Sequence, residues 1–177
     1  MCDLVARTGR HLQRYEDGRR LVAGCIPFRY RDIKDEQKKL VEGGWENDET
    51  VEEAAAREAI EEAGVRGDLV LLFAPMSFGH ILLIHGTSSV HKKLLGFYDF
   101  KSKQPDGMCR AAVFALLVKE ELASWPEQST RQRCWLTVPE AVEQSRHPWM
   151  QEALVTGFSG WLQNWSNGGG CVDRSER

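Results

Sequence analysis

The chain has 177 residues, 42% of them hydrophobic and 28% charged, with a formal net charge of −3. That length and balance fit one domain with a real core, and they argue against a stable nucleic-acid binder, whose basic patch dominates its charge. The charge is unevenly spread: Gly43–Val65 holds eight carboxylates against one arginine, which leaves the rest mildly basic. Such a dipole suits an anionic small-molecule substrate, held by scattered Lys and Arg beside a cation on the acidic stretch.

Residues 1–18 read as an N-terminal segment. It is rich in arginine but lacks the apolar run of a secretory signal, and Asp3, Glu16 and Asp17 are unlike a transit peptide. Cytosol or nucleus is expected, with mitochondrial import as the alternative. The five cysteines (Cys2, Cys25, Cys109, Cys134, Cys171) form no CxxC pair, which points to a reducing compartment without disulfides or structural zinc. A single domain is expected over residues 19–165. Arg20–Arg29 reads as a strand, and Pro27 places it near an edge or bulge. Tyr30–Glu42 is short and densely charged, and Thr50–Ala63 reads as a helix. Residues 71–91 form an atypical apolar insertion, too short and too broken by Pro75, Gly79 and His80 for a bilayer span, so no membrane partner is expected.

Lys93–Phe100 and Cys109–Val118 read as strands, the second apolar enough to be central. Between them, Pro105-Asp106-Gly107 marks a turn. Gln132–Val138 reads as a short strand, and Pro139, at a first helical position, opens a short helix. His147–Trp165 reads as a long helix whose apolar stripe (Trp149, Met150, Ala153, Leu154, Phe158, Trp161, Leu162, Trp165) is core. Residues 166–177 have the composition of a disordered tail. The order of elements predicts an α/β fold, a mixed sheet with helices on both faces.

The acidic helix carries the chemistry. Thr50 with Glu53 fits a capping box that starts it at Val51, and Gly64 sits where a left-handed terminator belongs. At about 100° per residue, Glu58, Glu61 and Glu62 share one face. Ala56, Ile60 and Ala63 fall opposite, suited to a sheet, so the acidic face is expected to look outward into a cleft. Arg57 lies at its edge, within reach of Glu49. No lysine stands nearby to pair with the three carboxylates. Hard oxygen donors at this spacing suit Mg2+ or Mn2+, with a loop carbonyl near Gly43 as a further ligand. An exposed, salt-bridged Glu-rich helix would account for Glu52 and Glu53 but poorly for the other three.

Gly43, Glu49, Arg57, Glu58, Glu61, Glu62, Gly64 and Val65 match the Nudix box, G-x5-E-x7-R-E-U-x-E-E-x-G-U, with small Ala59 at the first bulky position. Together with QRYEDGRRLVAGCIPFR before the box and CRAAVFALLVKEEL and RQRCWLTVPEAVEQ after it, the chain resembles plant Nudix hydrolases related to diphosphoinositol polyphosphate phosphohydrolases. The resemblance implies a Nudix-type α/β/α sandwich. It also implies hydrolysis of a pyrophosphate bond in an inositol pyrophosphate, dinucleoside polyphosphate or other nucleoside-diphosphate-linked substrate. By the same resemblance, Glu58 and Glu62 are the principal metal ligands and Glu61 a further ligand or the base. Glu49 and Arg57 orient loop and helix, and Gly43 offers its carbonyl. Arg20 matches a basic substrate-contacting position, and Arg14, Arg110 and Arg133 are further substrate-binding candidates. Oligomeric state is left open.

Two departures stand out. Leu40-Val41-Glu42 replaces the Phe-Pro-Lys expected before Gly-Gly-Trp, and only 13 residues separate Arg29 from Gly43. One strand before the box is therefore expected to be missing. Conversely, residues 71–91 are additional. An altered transcript, with a lost and a gained segment, explains both; alternatively the inserted run replaces the lost strand. A catalytically impaired binding or regulatory protein is the competing functional reading.

Overall fold

A computed structural model describes residues 5–7, 9, 12–29, 36–37, 40–70, 94–102 and 107–167. Two strands form its spine. β2, which follows the two-residue β1 (Tyr15–Glu16), runs over Arg19–Arg29, and β7 over Met108–Glu121. They pair in parallel from Arg19↔Met108 to Phe28↔Leu117. Antiparallel partners flank them: β1, β3 (Glu36–Gln37) and β4 (Val41–Gly44) beside β2, and β5 (Val65–Leu69) and β6 (Leu94–Lys101) beside β7.

Alternation along the spine sorts side chains into two cores, because successive strand residues face opposite sides of a sheet. Val22, Ile26 and Phe28 of β2 join Ala111, Val113 and Ala115 of β7 on one face. Ala23 and Cys25 join Ala112, Phe114 and Leu116 on the other. The second face carries α1 (Val51–Ala63). The first carries α2 (Val138–Gln144) and a continuous helical run of α3 (Pro148–Glu152), a π-helical stretch (Ala153–Ser159) and α4 (Gly160–Asn167). The predicted α/β/α sandwich with a mixed sheet is what forms.

Several local expectations are corrected. β2 is central rather than an edge strand. Pro27, which cannot donate to a ladder, sits on the β2 margin between the register of β4, which ends at Cys25, and that of β3, which begins at Phe28. The strand position before the box is filled, though thinly, by the four residues of β4, where Val41 is buried and Gly43 and Gly44 pair with Ala23 and Val22 of β2. Residues 71–91, the expected insertion, lie outside the described residues. Gln132–Val138 is not a strand. It passes the end of α1, where the Arg133 guanidinium donates to Gly64 O at 2.9 Å and Leu122 O at 2.9 Å, and only Leu136 forms a bridge. α2 starts one residue early, with Thr137 as cap and Pro139 in its first turn. The long C-terminal helix buries Trp149, Met150, Ala153, Leu154, Phe158 and Trp161 as expected. Its middle opens into π turns, and the Ser159 hydroxyl donates to Leu154 O at 3.0 Å. α4 continues through Asn167, past the expected end of order at residue 165; residues 168–177 lie outside the described set.

Candidate active site

α1 forms for the reasons its sequence gives. Glu53 N–H donates to Thr50 Oγ1 at 3.2 Å, and Thr50 N–H donates back to Glu53 Oε2 at 2.8 Å, so the capping box closes. Gly64 ends the helix at φ +60°, a left-handed conformation cheap only for glycine. The Trp125 ring lies where a Cβ on Gly64 would be, and Arg133 stacks over that ring at 4.5 Å.

The helix is rotated relative to the expected orientation. Ala54, Ala55, Ala59 and Ala63 pack on the sheet, while Ala56 and Ile60 are half-buried. The acidic face does not look out into open solvent: Glu58, Glu61 and Glu62 are only 7%, 7% and 8% exposed. Small alanines let α1 lie close to the sheet, so Glu58 and Glu62 sit at the edge of the helix–sheet contact. Gly43 on β4 faces Glu58 so closely that a Cβ there would overlap its carboxylate.

Arg57 organises this face. Its Nε and Nη2 donate to Glu49 Oε2 and Oε1 at 3.0 and 2.8 Å, a two-pronged pair. Nη2 also donates to Gly44 O at 2.8 Å, while Nη1 donates to Glu58 Oε1 at 2.6 Å and lies 3.4 Å from Glu61 Oε2. Glu49 Oε1 further accepts Glu46 N–H at 3.1 Å. The expected Glu49–Arg57 link is therefore present, and Arg57 reaches further than the helical wheel indicated.

Two arginines that the sequence reading passed over complete the surroundings. Arg131, from the segment after β7, ion-pairs with Glu62 and also with Glu127. Arg7 gives its backbone N–H to Glu61 Oε2 at 3.3 Å and its Nη1 to Glu46 Oε2 at 2.7 Å. Neither is near in sequence to the α1 carboxylate it meets, so no periodic signal on α1 marks them. Burial pushes the Glu58 carboxyl up to about 7 despite the opposing pull of Arg57. Burial likewise raises Glu62 to about 8, against Arg131 and with added repulsion from Glu58 and Glu42. Glu61 is raised too, by burial first, with Arg57 opposing. Ionising this face without a cation is costly.

Among the described residues no group of three or more His, Cys, Asp or Glu side chains converges into a ready cation cage. The donor chemistry still fits a hard divalent ion. Every donor on the face is a carboxylate oxygen, and Glu58 and Glu62 stand one turn apart, both poorly disposed to ionise alone.

The basic candidates divide. Arg14 donates to the carbonyls of Glu46, Asn47 and Glu49. Arg110 forms a cross-strand pair with Asp99 at 2.9 and 3.1 Å. Arg133 caps α1, as above. The substrate-binding expectation for these three thus meets guanidinium groups already engaged by the protein. Arg20, on β2, donates to Gln13 Oε1 at 3.2 Å. A cavity of about 540 Å³ opens beside Glu62, with Arg131, Arg133, Arg146 and Leu136 on its walls. No aromatic side chain is among the described residues that line it. Cys25 and Cys109 are buried free thiols, Cys134 is an exposed one, and burial pushes the Cys25 thiol up. No helix among the described residues is long and apolar enough to cross a membrane.

A family model described as NUDIX domain matches residues 16–156. Nudix hydrolase 16, mitochondrial, of Arabidopsis thaliana is 54% identical, covering 91% of this chain and 92% of its own length. That alignment runs over 187 positions, more than this chain has residues, so gaps interrupt it. Nudix hydrolase 13, mitochondrial, of the same plant is 41% identical, covering 87% and 81%. Among solved structures, the Ap4A hydrolase of C. elegans in a binary complex superposes with a TM-score of 0.53 at 16% identity, covering 81% of this chain and 98% of that one. That likeness bears on the fold alone.

Proposed function

This chain belongs to the Nudix family of hydrolases, and from that premise we propose that it uses Mg2+ or Mn2+, held by Glu58 and Glu62, to hydrolyse a phosphoanhydride bond. The observation that carries the reading is the buried carboxylate trio on one face of α1, braced by Arg57 and Glu49. When bound, the divalent ion would supply neutralisation of phosphoryl oxygens and acidification of water. The chain's own residues do the rest. Glu49 fixes Arg57, Arg57 fixes Glu58, and Glu61 serves as a further ligand or as the base taking the proton of the attacking water. Water adds to phosphorus, the bridging P–O bond breaks, and its electron pair leaves with the departing phosphate.

The substrate proposed is a multiply phosphorylated ring without a base, of the inositol pyrophosphate kind. Three arginines, Arg131, Arg133 and Arg146, line the cavity beside Glu62, and among the described residues no aromatic ring lines it. Phosphate release from an inositol pyrophosphate, a dinucleoside polyphosphate and ADP-ribose, with and without Mg2+, tests this. Cation-stimulated cleavage of the first above the others is expected; equal cleavage of all three would refute the preference. A second reading, a weakly active binding protein, is favoured by the ion pairs of Arg57 and Arg131 with the same carboxylates. Cation-independent binding without turnover in that panel would support it. A mitochondrial location, in place of cytosol or nucleus, is proposed from the names of the relatives, and imaging of a fluorescent fusion tests it.

A further inference from the structure

We infer that Arg14 is a positioning residue for the metal-bearing face rather than a substrate ligand, an inference that rests on the function proposed above. Arg14 lies outside the acidic box and before β1, yet its guanidinium closes the loop that delivers Glu49. Nε donates to Glu46 O at 3.0 Å, and Nη2 donates to Asn47 O at 3.0 Å and to Glu49 O at 3.1 Å. The planar group also lies over the Trp45 ring at 4.7 Å, and Trp45 Nε1 donates to the same Glu49 O at 3.0 Å. Backbone bonds stitch the two segments together: Arg14 N–H to Trp45 O at 2.9 Å and Asn47 N–H to Leu12 O at 2.8 Å.

Three carbonyl oxygens pointing at one spot need a donor that is planar, charged and several-pronged. Guanidinium meets that need; an ammonium, a single point of charge, does not. The consequence runs along a short chain of contacts. With Arg14 in place, Glu49 presents both carboxylate oxygens to Arg57. Arg57 then reaches Glu58 through Nη1 alone. Without Arg14 the loop carbonyls lose their partner and Glu49 drifts. Arg57, freed from its two-pronged anchor, settles more fully on Glu58 and Glu61, where it competes with the cation for the same oxygens. Groups that orient metal ligands typically change affinity or activity about 10–100-fold when removed.

Direct Mn2+ binding without substrate, followed by electron paramagnetic resonance, separates this role from substrate contact. Arg14→Gln is expected to weaken Mn2+ binding about tenfold or more and to lower kcat, with KM for the cleaved substrate within about twofold of the parent. Arg14→Lys is expected not to restore Mn2+ affinity. If Arg14→Gln does not fold, Trp45→Phe, which removes the indole N–H to Glu49 O and shrinks the ring under Arg14, is expected to shift Mn2+ affinity in the same direction by less. A raised KM with unchanged Mn2+ affinity would make Arg14 a substrate ligand and overturn the inference, as would no change in any readout. Failure of the parent chain to bind Mn2+ at all would instead strike at the proposed function and carry this inference down with it.

Discussion

The helices on the two faces of the sheet meet it with different side chains. The buried apolar residues of α1 are all alanines, Ala54, Ala55, Ala59 and Ala63, set against Ala23, Cys25, Ala112, Phe114 and Leu116. Under the C-terminal helical run the contact is made by Phe28, Tyr98, Trp149, Phe158 and Trp161, with Phe28 edge-on to Phe158 and Trp161 at 5.4 and 5.3 Å. Small side chains bring α1 close enough to bury carboxylates at its margin. Large aromatic ones, each burying much apolar area, fill the other core. One face therefore holds the candidate chemistry at a cost in stability, and the other contributes the stability that offsets it.

Substitutions on the two faces should thus part company in what they change. Glu62→Gln is expected to lower turnover about 10²–10³-fold, comparable to loss of one group that stabilises transition-state charge. Its thermal midpoint near pH 8 should stay level or rise, because a neutral amide replaces a carboxylate that burial disfavours. A large loss of stability with preserved turnover would break the contrast. Phe158→Ala should do the reverse, costing about 3–5 kcal/mol in chemical denaturation. Turnover of the fraction still folded should match the parent.

A further contrast concerns pH. Burial pushes Glu58 and Glu62 up to about 7 and about 8, so between the ordinary carboxylate range and those values the folded protein binds more protons than the unfolded chain. Stability contributed by their protonated forms is present at low pH and lost as pH rises through the folded values. The metal-free protein should therefore lose midpoint temperature from about pH 5 to about pH 8.5, and Glu62→Gln should flatten that slope. A slope of the same size in both proteins would show that these carboxylates do not govern it.

Much of the local structure was legible. The capping box at Thr50, the left-handed Gly64 and the apolar strand at Cys109–Val118 depend on neighbours a few residues apart, and each formed as read. The aromatic stripe of the last helix was legible for the same reason, although the π turns at its centre were not. Pro27 misled, because a proline's tolerance depends on which neighbouring strand stops short beside it. Gln132–Val138 misled because its Arg133 binds carbonyls at the end of α1 that only the fold brings near.

By itself, then, the chain's order of residues determined which carboxylates share a helix face, where that helix begins and ends, and that Cys109–Val118 is a central strand. Those properties follow from helical and strand periodicity and from caps, all short-range. Only the tertiary structure decided that the acidic face is buried, that Arg131 and Arg7 come to meet it, and that Arg14 grips the loop behind it. Burial and ion pairing between distant segments depend on how closely the layers pack, and here the small side chains beneath α1 set that distance.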